Sequence, residues 1–248
     1  MNKELIQKKY GKPKRLTYPG QFHKYQPEKL TELLNKSDAE LNLSDFGSIF
    51  AMHEPDADYE EGLYYIPLCF EYMKTACPFE RNVCPSLFWY IEFFKERLQE
   101  DGFYQNCLEE IKNLLEMLTK DFVVIKEYQP NPRYHLTKLE YGESIATIVS
   151  AATQNDETWK LLSKYLFSLK DKGAIGSCWW IVISQIVRIY VSYARKREYN
   201  YIKGKLMFEH FHKYGEYSEH FERARIYLQE KGTYDFLPPF HIIPFTVE

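Results

Sequence analysis

Residues Ala174–Tyr193 read AIGSCWWIVISQIVRIYVSY, the most apolar stretch of the chain. The run is too long for one strand and holds no proline. Its polar residues Ser177, Ser184, Arg188 and Ser192, continued by Arg195, recur at intervals of three, four or seven, which places them on one narrow helical stripe. Trp179, Trp180, Ile181, Val182, Ile183, Ile186, Val187, Ile189, Tyr190 and Val191 fill the rest of the circumference. A helix that is apolar over most of its girth is surrounded by other elements or by lipid. Spanning a bilayer takes about 20 predominantly apolar residues. Gln185 and Arg188 interrupt the middle of this run, and a charge at that depth costs at least ~2.5 kcal/mol. The stretch therefore reads as the core helix of a soluble protein, not a membrane span. Arg195, Lys196 and Arg197 follow at its C-terminal end, where positive charge suits the helix dipole. Arg188, expected among apolar neighbours, needs a carboxylate or carbonyl partner there.

Outward from this helix, the sequence supplies more helices and almost no strand signal. Helices are expected at Pro27–Asn35 and at Ser44–His53, with Ser44 as N-cap. Tyr59–Ala76 is a helix that Pro67 should kink or split. Proline at a first helical position marks Pro85–Glu100, stopped by Asp101-Gly102. Tyr104–Thr119 carries the stripe Leu108, Ile111, Leu114, Leu115, Leu118. Further helices fall at Lys138–Ala152, Glu157–Lys170, Tyr201–Tyr214 and Tyr217–Lys231, the last capped by Gly232. The sum is an all-α fold: an irregular multi-helix bundle or short α-solenoid of nine or ten helices around a buried central helix at about 174–199. No repeat of fixed length supports a regular solenoid. Residues 1–27, rich in Lys, Pro and Gly, read as a basic N-terminal arm; 28–248 read as a single helical domain with a weak division near 121–134, where Pro130 and Pro132 forbid a helix.

Composition narrows the function classes. With 11 Gly in 248 residues, glycine-dependent dinucleotide folds are disfavoured, while 21 Tyr and 17 Phe predict a core of ring packing. A net charge of -3 gives no global basic field to attract nucleic acid. Five cysteines without tight pairing, and no apolar run after the basic start, point to reduced thiols in a cytoplasmic protein. P-loop, G-x-G-x-x-G, G-x-S-x-G and kinase signatures are all missing.

The sharpest charge feature is acidic. Between Asp38 and Glu61, eight carboxylates fall in 24 residues without a Lys or Arg. Glu54, Asp56 and Asp58 imitate the first ligands of a calcium loop, but Tyr59 stands where a glycine is required and Tyr65 where a bidentate carboxylate is required, so an EF-hand is excluded. Glu54, Asp56, Asp58, Glu60 and Glu61 instead suggest an acidic face for a basic protein partner, which electrostatics would steer and orient. A non-catalytic immunity-type protein that neutralises a basic toxin is one concrete form, with no cofactor. Two alternatives compete. His210, His212 and His220, with Glu209 and Glu216, form the beginnings of a helical metal site, although Gly215 interrupts the spacing. Arg195, Lys196, Arg197, Lys203 and Lys205 interleave with tyrosines in the manner of a single-strand nucleic-acid surface. Cys84, before Pro85 at a helix start, is placed for a lowered thiol pKa, but buried, inert thiols are the preferred reading of the cysteines.

Overall fold

The computed structural model describes residues 3–16, 27–50, 59–75, 84–123, 144–145, 147–149, 156–193 and 217–232. Among them there is no strand. Eleven α-helices are defined: α1 Lys3–Tyr10, α2 Pro27–Asn35, α3 Leu43–Phe50, α4 Tyr59–Leu63, α5 Ile66–Thr75, α6 Pro85–Phe93, α7 Lys95–Glu100, α8 Tyr104–Leu118, α9 Asp156–Ser168, α10 Gly173–Tyr193 and α11 Tyr217–Glu230. The all-α reading holds. No helix among the described residues is long and apolar enough to cross a membrane. The chain divides into two compact units, Met1–Leu118 with Ser144–Ser163, and Thr119–Glu143 with Lys164–Glu248. The first crossing, at Leu118, lies just ahead of the 121–134 segment.

Local chemistry explains several helix ends in the first unit. α3 is capped by Asn42, not Ser44. The Asn42 side chain accepts from the Asp45 amide at 3.1 Å while the Asp45 carboxylate accepts from the Asn42 amide at 2.9 Å, a reciprocal capping box. The Tyr59–Ala76 expectation resolves as a split: α4 ends at Leu63, and α5 restarts at Ile66, with Pro67 in its first turn, where a missing N–H costs nothing. α6 starts at Pro85 as expected, but the helix is interrupted at Phe94 (φ −98°, ψ 22°), a break that no proline or glycine announces. Gly102 takes φ +75°; its amide donates to Gln99 and the Phe103 amide to Leu98, closing α7 in a Schellman turn.

The N-terminal arm is the larger difference. Residues 3–16 are not a solvated tail: α1 is a helix, Ile6 is fully buried and Leu16 is buried. Ile6 and Leu16, ten positions apart, show no helical periodicity in sequence, yet with the Tyr10–Phe103 ring contact they tie the segment into the first unit. The core there combines aliphatic side chains with a connected set of rings. Phe50 meets Tyr90 at 5.3 Å, Tyr90 meets Phe94 at 4.8 Å, and Phe94 meets Tyr59 at 5.4 Å between ring centroids, in tilted or edge-on geometries. The Tyr90 hydroxyl donates to the Tyr59 carbonyl. Leu63, Leu87, Leu98, Leu114 and Leu115 complete the packing at or near zero exposure.

In the second unit α10 is the buried helix. Ser177 through Ile183 are all buried, which covers every side of the helix over two turns. α10 packs on α11 and on the 3-10 turn Leu169–Asp171. Trp179 donates its indole N–H to the Asp121 carbonyl at 2.8 Å and meets Phe122 edge-on at 4.9 Å. Gly176 allows the turn to close, since a Cβ there would collide with the Leu169 carbonyl oxygen. Side chains of 184–193, including Arg188, lie outside the described residues, as does the expected continuation to 199.

Two glycines in helices of the first unit separate close approach from propensity. A Cβ on Gly62 would stand 2.5 Å from the Tyr90 ring, whereas one on Gly47 meets nothing within 4 Å. Gly62→Ala should therefore cost about 1–3 kcal/mol through displacement of Tyr90. Gly47→Ala should stabilise by about 0.5–1 kcal/mol. Urea midpoints of the two variants are expected to move in opposite directions.

Candidate functional site

The acidic stretch is only partly within the described residues; Glu54, Asp56 and Asp58 lie outside them. Glu60 and Glu61 open α4, where the helix dipole favours them, and they part company there. Glu60 is exposed. Glu61 is 7% exposed, with Arg15 Nε 3.5 Å from its carboxylate. Successive helix positions are rotated by about 100°, so one residue of the pair points outward and its neighbour inward. Glu61 is therefore not a surface ligand for a partner.

The upstream carboxylates bind the fold itself. Asp38 accepts from the Tyr64 hydroxyl at 2.9 Å and from Gln7 at 3.2 Å. Burial first, and that contact second, push the Tyr64 hydroxyl up to about 12. Asp45 accepts from Lys36 at 2.8 Å through both oxygens. Lys74 is paired with Glu110. Asp101 is the most heavily used: Lys9 donates at 3.0 Å, Tyr10 at 2.8 Å and Tyr59 at 2.8 Å. One carboxylate thereby joins α1, α4 and the α7–α8 corner. Arg97 stacks over the Tyr59 ring at 4.2 Å. Burial raises the Asp101 carboxyl, but the three donors outweigh it and hold it below its ordinary 3.8.

The first unit also leaves two large rings facing outward. Trp89 and Phe93 are 48% and 49% exposed, one turn apart on α6. Leu87, Phe88, Tyr90 and Ile91 of the same helix are buried. Glu92 sits between the two exposed rings in sequence, and Glu96, exposed, continues the three-and-four spacing into α7. The run WYIEFF reads from sequence as undifferentiated core. The discriminating signal is the three-and-four spacing of Trp89, Glu92 and Phe93 on α6, with Glu96 following beyond the break at Phe94.

The histidine cluster is not assembled by the described residues. His210 and His212 lie outside them. His220 is 4% exposed and tilts against Trp180, with ring centroids 5.2 Å apart, so it belongs to the α10–α11 core and not to a surface ligand set. No group of three or more His, Cys, Asp or Glu side chains among the described residues is placed to hold a metal ion. Arg195, Lys196, Arg197, Lys203 and Lys205 fall outside the described residues. The described cysteines Cys69, Cys84, Cys107 and Cys178 are free thiols, all buried. The chain matches no protein-family model, and no curated protein or solved structure is significantly similar to it.

The Asp101 cluster has a pH signature. A carboxyl held low in the folded state contributes stability that is present above its unfolded pKa and is lost as pH falls. Wild type should lose stability as pH drops through and below 3.8. Asp101→Asn leaves too few acceptors for three donors, and should cost about 2 kcal/mol at pH 7. That gap should narrow in acid, as read from denaturant midpoints measured across pH.

Proposed function

We propose that this chain is a non-catalytic protein-binding module that engages a basic partner, with Trp89 and Phe93 as apolar anchors and neighbouring carboxylates as the orienting charge. The carrying observation is the half-exposed aromatic pair at one-turn spacing on α6. Large rings left in water at adjacent positions on a rigid helix are what a binding surface requires: they offer apolar area with little ordering cost. Glu92 on α6, Glu96 on α7, Glu60 on α4, and a chain net charge of -3 favour a positively charged partner. Glu54, Asp56 and Asp58 add to that charge in sequence. An immunity-type neutraliser of a basic toxin is the concrete form this reading takes. The free thiols support a cytoplasmic setting.

Tagged wild-type protein and the Trp89→Ala/Phe93→Ala variant, passed over extract of the producing cells, give the test. A basic protein should be retained by wild type and bind the variant about tenfold more weakly or worse, as two lost aromatic anchors imply. Charge reversal of Asp56, Asp58 and Glu60 together should weaken the same complex most at low salt. A partner held equally by wild type and both variants would overturn the assignment.

A further inference from the structure

Residues 3–16 carry six cations, Lys3, Lys8, Lys9, Lys12, Lys14 and Arg15, against one carboxylate, Glu4. The segment meets three carboxylates of the first unit in turn. Gln7 donates to Asp38 at 3.2 Å, Lys9 and Tyr10 donate to the two oxygens of Asp101 at 3.0 and 2.8 Å, and Arg15 Nε stands 3.5 Å from Glu61. Lys12 donates to the Lys36 carbonyl. Ile6 is a fully buried anchor, Leu16 is buried, and the Tyr10 ring meets Phe103 edge-on at 6.2 Å. A short basic helix seated by apolar anchors and read by carboxylates is also how a helical ligand from another protein is held.

We propose that residues 3–16 are a releasable latch: they occupy in cis a docking face for a basic helix, covering Asp38, Glu61 and Asp101 until a basic helical segment of the partner displaces them. The identity of that incoming segment rests on the reading of this chain as a binder of a basic partner. The release of the latch does not.

The body of the unit orients its carboxylates without help from the latch. Tyr59 donates to Asp101 at 2.8 Å and Tyr64 to Asp38 at 2.9 Å, while Glu61 is fixed in the first turn of α4. An ionised carboxylate has about four acceptor positions, so each aspartate can take a second donor from whichever helix lies against it. The grip of the latch, by contrast, is half in water. The Lys9 side chain is 50% exposed and that of Arg15 81%. Ion pairs so placed are weak and are screened by salt. α1 has only eight residues, too few to be stable as an isolated helix. Such a segment opens at a lower free energy than the core it lies on. An incoming helix competes with an arm at roughly millimolar effective concentration, which excludes weak ligands.

The test uses the full chain and a fluorescein-labelled synthetic peptide of residues 1–16. In hydrogen exchange, the α1 amides of the wild-type chain should exchange ahead of those of α8, and faster as NaCl rises, while α8 is unmoved. Reversing the charge of the latch, Lys9→Glu with Arg15→Glu, should free the face, and the peptide should bind this variant about tenfold more tightly than wild type or better. A peptide carrying the same two reversals should not bind. Trp89→Ala/Phe93→Ala, with its own latch intact, should bind the peptide as weakly as wild type, so this face and the α6 rings are tested separately. If the charge-reversed chain fails to fold, hydrogen exchange of the wild-type chain decides alone. Exchange of α1 only together with α8, no gain in peptide binding by the folded variant, or a wild-type dimer held by exchanged arms overturns the proposal.

Discussion

The first unit depends on how closely Tyr90 can approach α4. Its ring occupies the space where a Cβ of residue 62 would be, and its hydroxyl donates to the Tyr59 carbonyl. The close ring approach needs Gly62, and the two contacts together bring α6 against α4. From there the ring contacts run in sequence through Phe50, Tyr90, Phe94 and Tyr59. Large rings fix relative helix orientation more tightly than aliphatic chains do, because only offset and edge-on pairings are favourable. The interruption at Phe94 fits this arrangement, since that residue contacts Tyr90 behind it, Tyr59 on α4 and Phe93 beside it.

Around this ring core, the unit spends its carboxylates on itself. Asp38, Asp45, Glu61, Glu110 and Asp101 each hold donors from segments distant in sequence or from a neighbouring helix end. A carboxylate that accepts several hydrogen bonds is an efficient junction, because it satisfies two or three buried or half-buried donors at one point. Asp101 shows the consequence: Lys9 and Tyr10 secure a basic N-terminal helix through one carboxylate. Charge counted along the sequence therefore overstates the charge available to a partner. The groups turned outward include the Trp89–Phe93 pair and carboxylates such as Glu60 and Glu96, beside exposed cations such as Lys14 and Arg97. The functional proposal rests on that remainder.

The second unit solves a different problem. α10 buries its whole circumference over two turns, so it needs neighbours on every side. The described ones are α11, the 3-10 turn admitted by Gly176, and the Asp121–Phe122 segment held by Trp179. His220 takes part as a ring against Trp180. Its spacing from His210 and His212, suggestive on paper, counts for less than the side of α11 on which it falls.

Much of the fold was legible in the residues alone. Proline and glycine placed the split near Pro67, the start at Pro85 and the stops at Gly102 and Gly232, since each imposes a local dihedral or removes a donor regardless of context. The 3.6-residue stripes marked α8 and α10 for the same local reason. The caps were less secure: Asn42 and Ser44 are both competent, and the reciprocal bond with Asp45 selects the first. What tertiary structure alone decided is direction and partnership. It turned Glu61 inward and Glu60 outward, left Trp89 and Phe93 in water while burying Tyr90 and Phe94, and tied residues 3–16 into the first unit. Each of those outcomes depends on which surfaces meet across long stretches of chain, and helical periodicity constrains the face of one helix without naming the neighbour that covers it.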